Sequence, residues 1–285
     1  AEALVATEVS TGFELLGDAA VMRNVFMHVG EAAQKGAPEC HLLLFNVHHV
    51  AFDGASASVM LDDLGALYRT IFADGAVMDA ALPTLQVQYI DYALWQRSDE
   101  MALLLEVPQE YWRGQVRDGM LPVLELPLDY VRPATQTFSG ASMPVAIAPD
   151  VAARLQRLSR MHSATLFQLA LALWALLLCR HAGQDEVVIG SPYHGRDVAG
   201  TEQLIGYFVN VLALRVEAPH GGTVASVVSG ARDAAAGGMR HAVLPFQKML
   251  DELMPKRRHD ASRNAVFQTI LGWGDEAGEL SGAVG

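Results

Sequence analysis

His48, His49, Asp53 and Gly54 form the segment His-His-Val-Ala-Phe-Asp-Gly, the one stretch of this chain whose residue types and spacing amount to a chemical template. A neutral imidazole accepts a proton near pH 7. A carboxylate four residues beyond the second histidine can brace the loop that carries it. A glycine at the end permits positive φ and lets another group approach the backbone closely. Together they suit an acyl transfer in which one histidine handles the proton of the attacking group.

The residues before the motif, His41 to His48, are mostly apolar and read as a largely buried strand. Side chains alternate along a strand. Leu42, Leu44, Asn46 and His48 therefore share one face, and Leu43, Phe45, Val47 and His49 the other. The two histidines point oppositely, so one can support the fold while the other faces a cavity. A histidine on an apolar strand is more often a core residue than a catalyst, and His48 is read that way. The full spacing singles out His49. Two histidines and a carboxylate could also form a facial metal triad, but opposed side chains argue against it. Neither H-E-x-x-H nor C-x-x-C occurs, and no metal is expected.

Beyond Gly54, Val59, Leu61, Leu64, Leu67, Tyr68 and Ile71 recur at helical spacing, which predicts a helix starting near the motif with its N-terminal amides at the site. Ser56 and Ser58 are helix-start residues; no G-x-S-x-G elbow surrounds either.

Several segments in order carry a resemblance to a known family. His48–Gly54 matches the HHxxxDG core motif of the condensation domains of nonribosomal peptide synthetases. Upstream, Gly12-Phe13-Glu14-Leu15 and Ala20 to Arg23 loosely resemble the segment that leads into the motif strand. Downstream, Tyr89-Ile-Asp91-Tyr92-Ala93-Leu-Trp95-Gln96 is similar to a specific family segment. So are Gly190 to Arg196 with Ile205-Gly206-Tyr207-Phe208-Val209-Asn210, then His241 to Gln247, and Ser262 to Gln268.

The resemblance implies a mixed α/β (α+β) fold of the chloramphenicol-acetyltransferase-like, two-lobed pseudo-dimer type, partial here. The HHxxxDG motif would sit at the lobe junction. It implies amide (peptide) bond formation between aminoacyl or peptidyl thioesters. Carrier-protein domains deliver these on phosphopantetheine arms, and an adenylation domain lies adjacent. The domain itself binds no cofactor. Carried onto this chain, His49 acts on the attacking amine, and His48 and Asp53 hold the motif loop. The Gly54 N–H stabilises oxyanion charge, an effect worth about 3–4 kcal/mol per donor. Alternatives within the superfamily are an epimerization domain and a stand-alone HHxxxDG acyltransferase. A non-catalytic recruitment module is the alternative outside catalysis.

Two departures stand out: Ala55 where the family has Trp or a comparably large residue, which implies a local pocket that is either wider or packed differently, and Gln247 where an acidic residue is common. The motif comes early, so the chain is expected to be truncated at both ends. The arginine that pairs with the motif aspartate is expected in the missing early part, which leaves Asp53 without its usual partner.

Trp95, Trp112, Tyr92 and Tyr111 are read as packing aromatics between lobes, with Tyr92 and Trp95 as channel or lobe-interface candidates. Asn210, polar in an apolar strand, must find hydrogen bonds, either lining a channel or tethering backbone.

The proline-bearing stretch 118–140 is expected to be extended and to divide an N-terminal lobe, 1–134, from a C-terminal lobe, 135–285. The expected elements beyond it are a strand at 143–147, two helices over 150–181, strands at 187–190 and 208–216, and a helix at 224–239. The 285 residues, 51% hydrophobic, can bury one large or two medium cores. A net charge of −12 disfavours nucleic acid and anionic membranes. Two cysteines, Cys40 and Cys179, and no signal peptide suggest a reducing, cytoplasmic setting. The apolar run Leu166–Cys179 is too short to span a bilayer, which needs about 20 residues, and is read as a buried helix.

Overall fold

A computed structural model of the chain describes residues 2–15, 20–29, 40–74, 82–116, 119–255 and 260–274. They fall into two compact units. The first comprises 1–93 with 196–208, the second 94–195 with 209–275; residues 276–285, grouped with the first, lie outside the described residues.

The first unit opens with helix α1 (Glu2–Ser10), followed by strands β1 (Met22–Val29) and β2 (Cys40–Val47). The strands pair antiparallel, with Met22 opposite Val47 and Phe26 opposite Leu43. β2 is less covered than its apolar sequence predicts: Leu42 and Leu43 are both exposed, and among the described residues β2 pairs with β1 alone. Arg23 clasps the segment after α1. Its Nε meets Glu8 Oε2 at 2.9 Å, its other nitrogens donate to the carbonyls of Glu8, Thr11 and Gly12, and its guanidinium lies 4.1 Å from the Phe13 ring centroid. Asn46 Nδ2, on the neighbouring strand, donates to the same Glu8 carbonyl at 2.8 Å. A 3-10 turn (His49–Ala51) leads into helix α2 (Gly54–Asp74), which covers the expected helix and begins at the motif glycine. Helix α3 (Tyr89–Trp95) begins in this unit and ends in the next.

In the second unit, helices α4 (Asp99–Leu104) and α5 (Glu106–Gln115) come first; Ser98 caps α4 by accepting from the Met101 N–H. Residues 119–148 then run without helix or paired strand. The strand expected at 143–147 is not formed. Met143, Val145 and Ile147 are exposed, and no neighbouring strand pairs with them among the described residues. Alternation alone does not make a strand; the backbone needs a partner.

Helices α6 (Pro149–Met161) and α7 (Leu166–Ala182) form as the periodicity predicts. α7 is stopped at both ends by local chemistry. Thr165 and Gln168 make a reciprocal capping box, and Gly183 takes the left-handed conformation at φ 65°. Strands β3 (Glu186–Tyr193) and β4 (Asn210–Glu217) pair antiparallel, Tyr193 opposite Asn210, and helices α8 (Val224–Arg240) and α9 (Phe246–Leu253) follow.

Val187, Val188 and Ile189 of β3 are all buried, as are Leu212, Ala213 and Leu214 of β4, so both faces of this hairpin are covered. Consecutive apolar residues, rather than alternation, are what such a strand requires. Leu171, Ala175 and Cys179 of α7 and Val228, Ala231 and Ala235 of α8 complete the core. Phe267 packs so closely on Gly190 that any β-carbon there would meet its ring, while Gly190 exchanges backbone bonds with Thr269 and Leu271. Among the described residues no single helix is long and apolar enough to cross a membrane.

Candidate active site

The candidate site is built where β2 gives way to α2. The strand ladder ends as the His48 N–H donates to Val21 O at 2.8 Å. His48 then turns the chain: its Nδ1 accepts the Val50 N–H at 3.0 Å, capping the 3-10 turn, and its ring lies edge-on to Phe13, centroids 5.7 Å apart. That acceptance uses the Nδ1 lone pair. His48 is half-buried and holds the turn. His49 lies on the turn itself, exposed, its ring edge-on to Tyr207 at 5.4 Å and 82°.

Asp53 closes the loop. Its side chain is fully buried. Oδ1 accepts the Ser56 N–H at 2.8 Å, in the manner of a helix N-cap, and Oδ2 accepts the Phe208 N–H at 3.0 Å. Arg196 supplies the opposite charge, Nη2 to Oδ1 at 2.9 Å, with its side chain only 7% exposed. The expectation that Asp53 lacks a partner is therefore corrected. The cation arrives from 143 residues downstream, on the Gly195-Arg196 segment.

Arg196 is itself tethered. Nη1 donates to the carbonyls of Thr201 and Leu204, each at 2.7 Å, and the guanidinium stacks 4.2 Å over the Phe208 ring. Gly195 and Gly200, at φ 68° and 89°, provide the left-handed turns of this loop.

Ser56 knits the two segments together. Its Oγ accepts from Gly206 N–H and Arg196 Nη2, both at 3.0 Å, and its one proton lies between Asp53 Oδ1 at 2.7 Å and Gly206 O at 2.9 Å. A hydroxyl has one donor and two acceptor positions, and all three are used. Burial by itself raises the Asp53 pKa, but the Phe208 N–H, the Ser56 hydroxyl and N–H and the Arg196 guanidinium outweigh it. The carboxyl is held below its ordinary value and remains ionised.

Gly54 does not use the positive φ that its residue type permits. It opens α2 with ordinary backbone geometry, and a β-carbon built on it meets nothing within 4 Å. Its N–H is one of the first-turn donors that a helix leaves without an intrahelical acceptor.

Tyr89 Oη donates to Tyr207 O at 3.0 Å, and Tyr92 packs on Phe208 with centroids 4.8 Å apart. Burial raises the hydroxyl pKa of both tyrosines. Trp95 lies in the second unit against its core. There Asn210 binds three backbone groups, two from the chain between α8 and α9 and one from the first residue of α9. Nδ2 donates to the carbonyls of Ala242 and Leu244, each at 2.7 Å, and Oδ1 accepts the Phe246 N–H at 2.9 Å. Trp112 is buried with Nε1 on His241 O at 2.9 Å, and Tyr111 stacks on the His241 ring at 4.1 Å.

Sequence reasoning assigns Arg196 no role and Ser56 only a helix start. Arg196 lies in a segment that carries the resemblance and Ser56 just past one, but only long-range pairing reveals what they do.

The sequence profile described as Condensation domain matches residues 31–274. The chain belongs to the condensation-domain family. A plipastatin synthase protein of Bacillus subtilis (strain 168) is 35% identical over 237 residues, covering 83% of this chain and 6% of that protein. A linear gramicidin synthase protein of Brevibacillus parabrevis is 35% identical over 271 residues, 95% of this chain and 5% of that protein. The chain thus spans a small part of these curated relatives.

Among solved structures, the X-domain from teicoplanin biosynthesis in complex with OxyB superposes with TM-score 0.81 at 26% identity, covering 94% of this chain and 57% of that one. A four-domain nonribosomal peptide synthetase bound to AMP and glycine superposes at 0.77 and 23% identity, with 96% and 19% coverage, and shows a shared fold. The first condensation domain of the CDA synthetase does so at 0.61 and 21%, with 95% and 55% coverage. The mixed helix-and-sheet, chloramphenicol-acetyltransferase-like fold expected from the motifs is the fold of this family.

Proposed function

We propose that this condensation domain forms an amide between two carrier-tethered thioesters, with His49 acting on the attacking amine. The observation that carries the reading is the buried Asp53–Arg196–Ser56 network, which fixes the HHxxxDG loop while leaving His49 exposed and open space at Gly54. A preorganised loop of this kind is what positioned proton transfer requires. His48 caps the turn and Asp53 anchors it; neither meets the reacting atoms. The Gly54 N–H, at the start of α2, is the donor for developing oxyanion charge. Tyr92, packed on Phe208, belongs to the wall beside the site, while Trp95 packs within the second unit and Asn210 holds the chain between α8 and α9.

The partners in this reading are carrier-protein domains that bring phosphopantetheine-bound substrates, with an adenylation domain nearby in a cytoplasmic synthetase. The relatives in which this chain matches only a few per cent of the length support that setting. The lobe division at about Thr135 belongs to the same proposal.

A second reading, recruitment of another protein without catalysis, is favoured by the likeness to the X-domain in its complex with OxyB. The two separate in one experiment. The complete synthetase is supplied with a donor and an acceptor carrier, each loaded with a matched aminoacyl group, and carrier-bound products are followed by mass spectrometry. New amide on the acceptor carrier supports condensation. Inverted donor stereochemistry without amide indicates epimerization, and no chemistry on either carrier indicates recruitment.

A further inference from the structure

We infer that Tyr207 is a positioning residue for His49, setting the orientation of its imidazole through ring contact; the inference rests on the catalytic reading of His49. The two rings meet edge-on at 5.4 Å. Edge-to-face is a preferred geometry for such pairs and restricts both rings. His49 needs that restriction, because it stands exposed on a single 3-10 turn, with its neighbour Val50 also exposed.

What distinguishes Tyr207 from a chance neighbour is how its backbone is held. The residue before it, Gly206, donates its N–H to Ser56 Oγ, and its carbonyl faces the same hydroxyl as an acceptor at 2.9 Å. The residue after it, Phe208, donates its N–H to Asp53 Oδ2. Its own carbonyl accepts the Tyr89 hydroxyl at 3.0 Å. The loop is therefore pinned on both sides of Tyr207 by Asp53 and Ser56, the groups that fix the turn bearing His49. Gly206 leaves no room for a side chain against the Tyr89 ring, so the chain passes close and projects its next side chain outward. Tyr207 remains 39% exposed while its two neighbours are buried. A tyrosine delivered by so constrained a backbone places its ring reproducibly against the imidazole.

A near-attack geometry is sensitive to displacements of about 1 Å, which can cost about a hundredfold in rate. The test uses the complete synthetase with matched loaded carriers and compares wild type, Tyr207→Phe, Tyr207→Leu and His49→Ala. Two quantities are read: single-turnover amide formation across pH, and the rate of carbethoxylation of His49 by diethyl pyrocarbonate, followed by peptide mass spectrometry. Tyr207→Leu is expected to slow amide formation between about ten- and a hundredfold at saturating acceptor and to raise His49 carbethoxylation several-fold. Tyr207→Phe, which keeps the ring, is expected to restore both to near the wild-type level.

Wild-type rates and wild-type His49 reactivity in Tyr207→Leu would overturn the inference. So would a loss in Tyr207→Phe as large as in Tyr207→Leu, since the hydroxyl and not the ring would then matter. If His49→Ala forms amide normally, the catalytic reading of His49 fails. The carbethoxylation comparison still decides whether Tyr207 orients that ring.

Discussion

At the scale of single residues, Asp53 and Arg196 determine whether the motif loop exists. Both side chains are buried, and removing one partner strands the other charge. Breaking a buried pair in this way costs about 3–5 kcal/mol. Arg196→Met is therefore expected to lower unfolding free energy by about that amount, measured by urea denaturation; a loss below about 1 kcal/mol, the scale of exposed pairs, would contradict the buried-pair reading.

The pH dependence has a definite sign. The folded-state pKa of Asp53 lies below its ordinary 3.8, so its contribution is fully present above that value and is lost as pH falls through the folded pKa. Asp260, held at about 2 first by the Ser262 hydroxyl, then by the Ser262 N–H and Arg263, follows the same sign at the surface. Wild type should lose more stability than Asp53→Asn on going from neutral pH to below 3.8. Parallel curves for the two proteins would count against the Asp53 assignment. Gly54 makes a different prediction. With open space at its β-carbon position and no positive φ, Gly54→Ala should fold with unchanged stability. If substrate enters that space, amide formation should drop at least about tenfold, as a methyl pushes the reacting carbonyl off the helix amide.

At the scale of elements, what is legible in the sequence follows from local periodicity and what is not depends on pairing. α2 and α8 are readable because apolar residues recur at helical intervals, and α7 because its apolar run is longer than a strand. The 143–147 strand does not form because alternation only offers a face, and Met143, Val145 and Ile147 lie exposed with nothing paired to them among the described residues.

The role of Arg196 is hidden for the same physical reason. Its acceptors are Asp53, far earlier in the chain, and two carbonyls of its own loop, a combination that no local pattern encodes. Gly206 is the point where this can be tested. Any side chain there runs into the Tyr89 ring, and overpacking of this kind costs about 1–3 kcal/mol. Gly206→Ala should lose that much stability by denaturation and lose amide formation with it, because the Tyr207 and Phe208 contacts shift together. A neutral substitution would mean that the loop is looser than its hydrogen bonds imply.

At the scale of the whole molecule, the motifs that identify the family lie in two separately described units. The HHxxxDG loop and the Arg196–Phe208 segment form one network inside the first. Asn210 and the aromatic contacts of Trp112 and Tyr111 organise the second. A net charge of −12 repels phosphate backbones.

The proposed function rests on one imidazole, that of His49. The most direct test is the single-turnover rate of amide formation by the complete synthetase with matched loaded carriers, wild type against His49→Ala, with folding of both checked by circular dichroism. A folded His49→Ala protein should lose at least about a hundredfold in rate, the lower range for a positioned acid–base group. A folded variant that makes amide at the wild-type rate would contradict the assignment of His49.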